Sequence, residues 1–336
     1  MVTHEIKKIL EAHEKAMTLG KKSVLATVVA LDGSSYRRPG VRMLLSEDGT
    51  MIGAVSGGCV EKEVLRQAQS VFETEVPKVM IYDGRYRLGC EGVLYILLEP
   101  FMPGQNTIST FWKTIQSRDS FRITSFFQKA HGESTSFGSV IQLDGETHTF
   151  RESYTISKAE QRFTQDLDPC FKLVIIGAEH DAVQLCAMAA MMGWEVTVVA
   201  NPKEQKAKSD FPGAGQFIQT EPEDFALQLD HKTGVLLMTH SYAKDLHYLS
   251  ILREQKPQYF GVLGPVRRRE KLFNELLERH PDTSLEFIES VYGPAGLELG
   301  AETPQEIALS VLAEILATAH QKEAISLREK TGSIHT

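Results

Sequence analysis

The chain has 336 residues, 42% of them hydrophobic and 24% charged, and a net charge of −8 at neutral pH. That length suits about two domains and lets each bury a core without crosslinks. The acidic balance excludes wholesale nucleic-acid binding, and no apolar run is long enough to span a bilayer. The opening residues Met1–Lys8 lack an apolar signal core, so a cytoplasmic protein with neither nucleic-acid nor membrane partners is expected.

Four cysteines are present: Cys59, Cys90, Cys170 and Cys186. They form no CxxC pair, which argues against a zinc ribbon or a thioredoxin-type motif. In a reducing compartment they stay as thiols. Cys186 lies in the apolar run Val183–Met192 and reads as core, while Cys170 follows Pro169 at an expected domain boundary.

In chain order, Ile6, Leu10, His13 and Met17 recur at helical spacing, which predicts a helix over 3–19 stopped by Gly20. Ser23–Leu31 reads as a strand. Val41–Ser46 and Met51–Val55 flank Glu47-Asp48-Gly49, a hairpin turn. A Gly-Gly-Cys turn then leads into a helix over 61–73, with Val64, Ala68 and Val71 on one side. Val79–Tyr82 and Val93–Leu98 read as strands bracketing Cys90. A helix is expected over 107–116, strands over 121–127, 139–143 and 147–151, and a polar linker within 158–169.

From Phe171 the rhythm changes. Strands over 172–176, 195–200, 216–218, 235–238 and 259–263 alternate with helices over 180–192, 223–229, 243–254 and 266–279, the pattern of βαβ units on a parallel sheet. Thr303, Pro304 and Glu306 make a capping box for a last helix over 303–320, whose buried stripe is Ile307, Val311, Leu312 and Ile315. The expected fold class is α/β. An N-terminal mixed α/β domain (1–165) precedes a C-terminal Rossmann-like doubly wound parallel-sheet domain (170–322), and 323–336 form a flexible tail.

The second domain departs from a dinucleotide fingerprint. The G-x-G-x-x-G/A register falls on Gly177, Glu179 and Ala182, so the middle glycine, which admits a pyrophosphate, is an acid. The ribose-binding acid after the second strand is replaced by Asn201. Both changes argue against NAD(P). His180 and His240 fall at the carboxyl ends of strands, where such sheets bind ligands, although a structural role suits each histidine equally well. Arg267, in Gly264-Pro265-Val266-Arg267-Arg268-Arg269, opens a helix where a phosphate could sit, or belongs to a solvated first turn.

The first domain carries the thiols. Arg37 and Arg38, in the turn-rich Gly33–Gly40, suit an anion or make a surface hairpin. Gly57 and Gly58 place Cys59 just before a helix, where a thiolate is favoured, with Glu61 and Glu63 opposing that effect. Thiolate sulfur suits soft metals such as molybdenum, and Cys90 joins the same ligand if the two loops adjoin. Two small buried cysteines are the alternative.

Arg38-Pro39-Gly40, Gly57-Gly58-Cys59-Val60-Glu61, Gly89-Cys90-Glu91-Gly92-Val93 and the long segment Gly293–Ala308 together resemble the xanthine dehydrogenase accessory factors of the XdhC/CoxI type. The resemblance runs over 23–98 and 172–320. It implies a two-domain accessory protein that binds molybdenum cofactor, shields it while its sulfido ligand is installed, and delivers it to a xanthine dehydrogenase-type molybdenum hydroxylase. A cysteine desulfurase-type sulfur donor would be a further partner, and a homodimer is compatible with the role. The cofactor contacts expected on this footing are Arg37, Arg38, Gly57, Gly58, Cys59, Glu61, Cys90, Gly177, His180, His240 and Arg267, with Cys59 and Cys90 on the metal. The chain departs from the family pattern at Glu179, Glu91, Asn201-Pro202-Lys203 and Pro265. With no iron–sulfur cysteine set and no room for a large molybdenum domain, it reads as a cofactor chaperone rather than a purine-oxidising enzyme. A nicotinamide-dependent oxidoreductase is the alternative.

Overall fold

The computed structural model describes residues 2–33, 38–56, 58–86, 92–156 and 161–331, with Cys59 described by its backbone. The chain divides into two compact units, Met1–Pro169 and Cys170–Thr336.

The first unit contains α1 (Thr3–Thr18), β1 (Ser23–Asp32), β2 (Arg42–Ser46), β3 (Met51–Gly53), α2 (Cys59–Thr74), β4 (Lys78–Asp83), β5 (Val93–Pro100) and α3 (Gln105–Ser117). It continues with β6 (Phe121–Phe127), β7 (Gly132–Glu133), β8 (Gly138–Leu143), β9 (Glu146–Thr149) and β10 (Gln161–Leu167). Two antiparallel sheets result, in the orders β3-β2-β1-β5-β4-β7 and β10-β6-β8-β9. Side chains alternate across a strand, so β1 serves two cores at once. Its Val24, Ala26 and Val28 pack with Val64, Ala68 and Val71 of α2. Its Leu25 packs with α1, α3 and the second sheet through Ile9, Phe111, Ile123 and Ile141. Sandwiching on both faces is why Ser23–Leu31 reads as a continuous apolar run.

Two expectations change here. Met17 is exposed, and the buried stripe of α1 is Thr3, Ile6, Ile9, Leu10, His13 and Ala16. The stretch expected to hold the linker contains β10, which pairs with β6 along its length. Its polar composition hid an edge strand with one wet face: Leu167 is buried while Arg162, Thr164 and Asp166 point outward. Cross-strand pairs line that face, Arg122 with Asp166 at 2.6 Å and Thr124 with Thr164 at 3.2 Å.

The second unit contains β11 (Lys172–Ile176), α4 (His180–Met191), β12 (Glu195–Ala200), β13 (Gln216–Gln219), β14 (Thr233–Leu237), α5 (Tyr242–Leu252), β15 (Tyr259–Val262), α6 (Val266–Arg279), α7 (Leu285–Ser290), β16 (Val291–Tyr292) and α8 (Pro304–Ala319). All strand pairs are parallel, in the order β13-β12-β11-β14-β15-β16. This is the doubly wound order with its switch point between β11 and β14. α4 and α8 cover one face, where Cys186 is fully buried, and α5, α6 and α7 cover the other.

The helix expected over 223–229 is a single 3₁₀ turn, Pro222–Asp224, followed by extended chain. Phe225, Leu227 and Leu229 explain it: apolar residues two apart dock on the core as an extended segment, not as a helix. The capping box of α8 forms as expected. Glu306 N donates to Thr303 Oγ1 at 3.3 Å, and Thr303 N donates to Glu306 Oε2 at 2.9 Å. The described part of 323–336 carries a 3₁₀ turn at Leu327–Glu329.

Candidate functional site

Strand register decides which loops of the first unit meet. Asp32 of β1 lies opposite Val93 of β5, and Val93 lies opposite Asp83 of β4. Gly84 N donates to Gly92 O at 3.0 Å just beyond that pair. The stem of the segment after Asp32 and the stem of the segment between Tyr86 and Gly92 therefore leave the sheet side by side. The far end of α2 fixes its direction: Lys22 Nζ, at the start of β1, donates to Phe72 O at 3.2 Å and to Glu75 Oε1 at 2.8 Å. A 16-residue helix is about 24 Å long, so α2 begins near the end of the sheet where β1 finishes. One sheet edge thus carries the Arg38 turn, the start of α2 at Gly58-Cys59 and the stems that bracket Cys90.

Arg38 is exposed on that edge. Arg37, Gly57 and Cys90, also expected in the site, lie outside the described residues. α2 starts at Cys59 itself, two residues earlier than its apolar periodicity predicts. Gly58 precedes it with φ +95°, a conformation that glycine adopts freely. Glu61 makes this turn. Its carboxylate accepts from Ser56 N at 2.8 Å and Gly58 N at 2.6 Å, and the residue is 8% exposed. Glu61, expected among the cofactor contacts, is therefore occupied in shaping the turn at the start of α2. Its spacing of three from Gly58 was the legible signal.

A buried polar group lies between the two sheets. Glu99 of β5 accepts from Ser139 N at 2.8 Å and Ser139 Oγ at 2.5 Å, and Ser125 shares the Ser139 hydroxyl at 2.8 Å. Burial pushes the Glu99 carboxyl up to about 7, against the opposing pull of Ser139, Arg151 and Arg42. Arg42, also buried, reaches Gly40 O at 3.0 Å and Gln165 Oε1 at 2.6 Å. Sequence reasoning missed both residues, because a buried charge inside a strand has no local signature.

The second unit has a crevice at the carboxyl end of β11 and β14. Gly177 (φ +131°) forms its floor against Met238. Glu179 and His180 stand exposed at the start of α4, and His240 Nε2 lies 3.8 Å from Asp181 Oδ2. His240 has φ +56°, and the residues on either side of it are pinned. Thr239 Oγ1 donates to buried Asp245 at 2.6 Å, and Ser241 N donates to Thr239 Oγ1 at 3.2 Å. Arg268, not Arg267, reaches inward and holds Asp245 at 2.7 Å, while Arg269 donates to Gly293 O at 2.7 Å. Arg267 is exposed. Two of the three arginines are thus taken up by the fold, and Arg267 is the one of the three left facing solvent.

Asn201 gives its amide to Glu221 Oε2 at 2.6 Å, and Lys203 approaches the same carboxylate at 3.5 Å. With Glu179 at the pyrophosphate position and the ribose position filled from within, titration with NADH or NADPH should show no saturation in the micromolar range. A saturable micromolar isotherm would overturn this reading of the crevice. Among the described residues, no cluster of three or more His, Cys, Asp and Glu side chains could hold a metal, and no helix is long and apolar enough to cross a membrane.

Comparison with known proteins agrees with this architecture. The family model of the XdhC Rossmann domain matches residues 173–315, and that of the XdhC and CoxI family matches 16–83. The chain is 29% identical to a probable xanthine dehydrogenase subunit of Bacillus subtilis, over 89% of this chain and 93% of that one. It is 26% identical to the molybdenum cofactor insertion chaperone PaoD of Escherichia coli, over 96% and 92%. A crystal structure described as a xanthine dehydrogenase from Bacillus halodurans superposes with a TM-score of 0.76 at 26% identity, covering 94% of this chain and 97% of the other. With one model matched in each unit and more than half of the length covered, the chain belongs to the XdhC and CoxI family.

Proposed function

We propose that this chain is an accessory protein that binds molybdenum cofactor on the loop edge of its first unit. It would shield the cofactor while the terminal sulfido ligand is installed, then pass it to a xanthine dehydrogenase-type hydroxylase. The observation that carries this reading is the shared sheet edge of Arg38, the Gly58-Cys59 start of α2 and the stems bracketing Cys90. The chemistry of that set suits the cargo: guanidinium for the pterin phosphate, thiolate sulfur for molybdenum. The relative named as a cofactor insertion chaperone, aligned over nearly the whole chain, supports the same role. A sulfur donor of the cysteine desulfurase type and a client hydroxylase are the partners this role calls for.

In the test, purified protein is titrated with molybdenum cofactor, and the gel-filtered complex is analysed for molybdenum and pterin. Stoichiometric retention is expected. Cys59→Ala should weaken it ten-fold or more, a loss of at least about 1.4 kcal/mol. Retention unchanged in both Cys59→Ala and Cys90→Ala would remove the thiols from the mechanism. No retention by folded wild-type protein would overturn the proposal.

A further inference from the structure

The loop edge belongs to the first sheet of the first unit, but its Arg38 turn is held from the second sheet. On the entry side, Lys129, just after β6, forms an ion pair with Asp32, the last residue of β1. Tyr95 Oη donates to the other Asp32 oxygen at 3.1 Å, and the Lys129 ammonium lies over the Tyr95 ring, 5.1 Å from its centre. On the exit side, Gln165 of β10 lies against Gly40: a Cβ added there would fall 2.9 Å from both polar atoms of the Gln165 side chain. Gln165 Oε1 also accepts from Arg42 Nη1, which in turn donates to Gly40 O. The backbone completes the exit stem, with Gly40 N donating to Val28 O at 2.8 Å and Val28 N to Val41 O at 3.0 Å.

Both grips come from neighbouring strands. β6 and β10 pair directly, and Lys129 N donates to Gln161 Oε1 at 3.1 Å. A surface ion pair such as Lys129 with Asp32 contributes little to global stability. The placement of the two grips, one on each stem of the same turn, suits orientation better than stabilisation.

We infer that Lys129 and Gln165 are positioning residues, which make the second sheet a holder that sets Arg38 in its anion-binding orientation. This rests on the cofactor-binding reading of the loop edge. Neither residue touches the ligand; each acts through a stem, Lys129 through Asp32 and Gln165 through Gly40 and Arg42. If the grip is lost and the turn spends only a tenth of its time in the competent form, the apparent Kd rises about ten-fold, although every ligand contact is still available.

The experiment compares full-length wild type, Lys129→Gln, Gln165→Leu and the double variant with the conservative Lys129→Arg and Gln165→Glu. Two readouts are taken: hydrogen exchange at the amides of Gly33, Arg38 and Gly40 without cofactor, and retention of molybdenum cofactor. The expected result is faster exchange confined to those amides and about ten-fold weaker retention in the double variant. The melting temperature should stay unchanged in Lys129→Gln, whose ion pair is exposed, and the conservative variants should return both readouts to wild-type values. Unaltered exchange, or faster exchange with unaltered retention, overturns the positioning role while leaving the cofactor reading intact. Wild-type protein that retains no cofactor overturns the cofactor reading and this inference with it.

Discussion

Gly177→Ala is expected to destabilise the second unit by roughly 3–5 kcal/mol, through backbone geometry alone. The residue has φ +131°, and a Cβ would lie 2.3 Å from Met238 O and 2.6 Å from Met238 C. Those atoms cannot step aside. Met238 N donates to Ile176 O at 2.8 Å, Gly177 N donates to Val199 O at 2.9 Å, and β11 pairs with β14 from Lys172 to Ile176. Gly145→Ala is the control. Gly145 also has positive φ (+79°) but nothing lies within 4 Å of an added Cβ, so it carries only the conformational cost, about 1–2 kcal/mol. Urea unfolding should shift the second unit's transition far more for Gly177→Ala than Gly145→Ala shifts that of the first. Equal small shifts would show that the switch point tolerates a side chain. The result bears on function, because a glycine demanded by the backbone at this turn says nothing about phosphate. The position that would speak for phosphate holds Glu179.

Much of the fold was legible because burial and local chemistry pointed the same way. β1, β11 and β12 are apolar runs buried on both faces, and the α8 capping box is closed by its own residues. What stayed hidden depended on partners distant in sequence. β10 looks polar because half of it faces water, and only its pairing to β6 makes it a strand. Phe225, Leu227 and Leu229 look helical by composition but follow an extended period. In the site, motif reading singled out the two cysteine loops, yet their common edge follows from the Asp32–Val93–Asp83 register together with the contacts of Lys22 to the far end of α2, which no local signal encodes. Arg267 and Arg268 are adjacent and chemically alike. Helix geometry sends one to solvent and the other to Asp245, and that choice is made by packing.

A second large effect is expected in how stability depends on pH, where two buried groups of the first unit oppose each other. His13 is 2% exposed, packs edge-on to Phe101 with ring centres 4.9 Å apart, and has no hydrogen-bond partner for either ring nitrogen among the described residues. Burial lowers its pKa from 6.5 to about 4. Between those values the unfolded chain binds the extra proton, so stability falls as pH drops from 6.5 to 4, by about 3 kcal/mol in full. Glu99 works the other way. Burial raises its carboxyl from 4.5 to about 7, so the folded chain holds the extra proton. Its contribution is complete below pH 4.5 and is lost as pH rises through 7, again by about 3 kcal/mol. In the wild type the two slopes largely cancel between pH 4.5 and 6.5. Single variants should separate them. Relative to wild type, His13→Leu should lose stability as pH rises across that window, and Glu99→Gln should gain it, each by about 3 kcal/mol over the full range. Urea unfolding at several pH values between 4 and 7.5 measures both differences. A Glu99→Gln difference that does not change with pH would mean that the carboxylate stays ionised between the sheets, held by Arg42, Arg151 and Ser139 against the cost of burial.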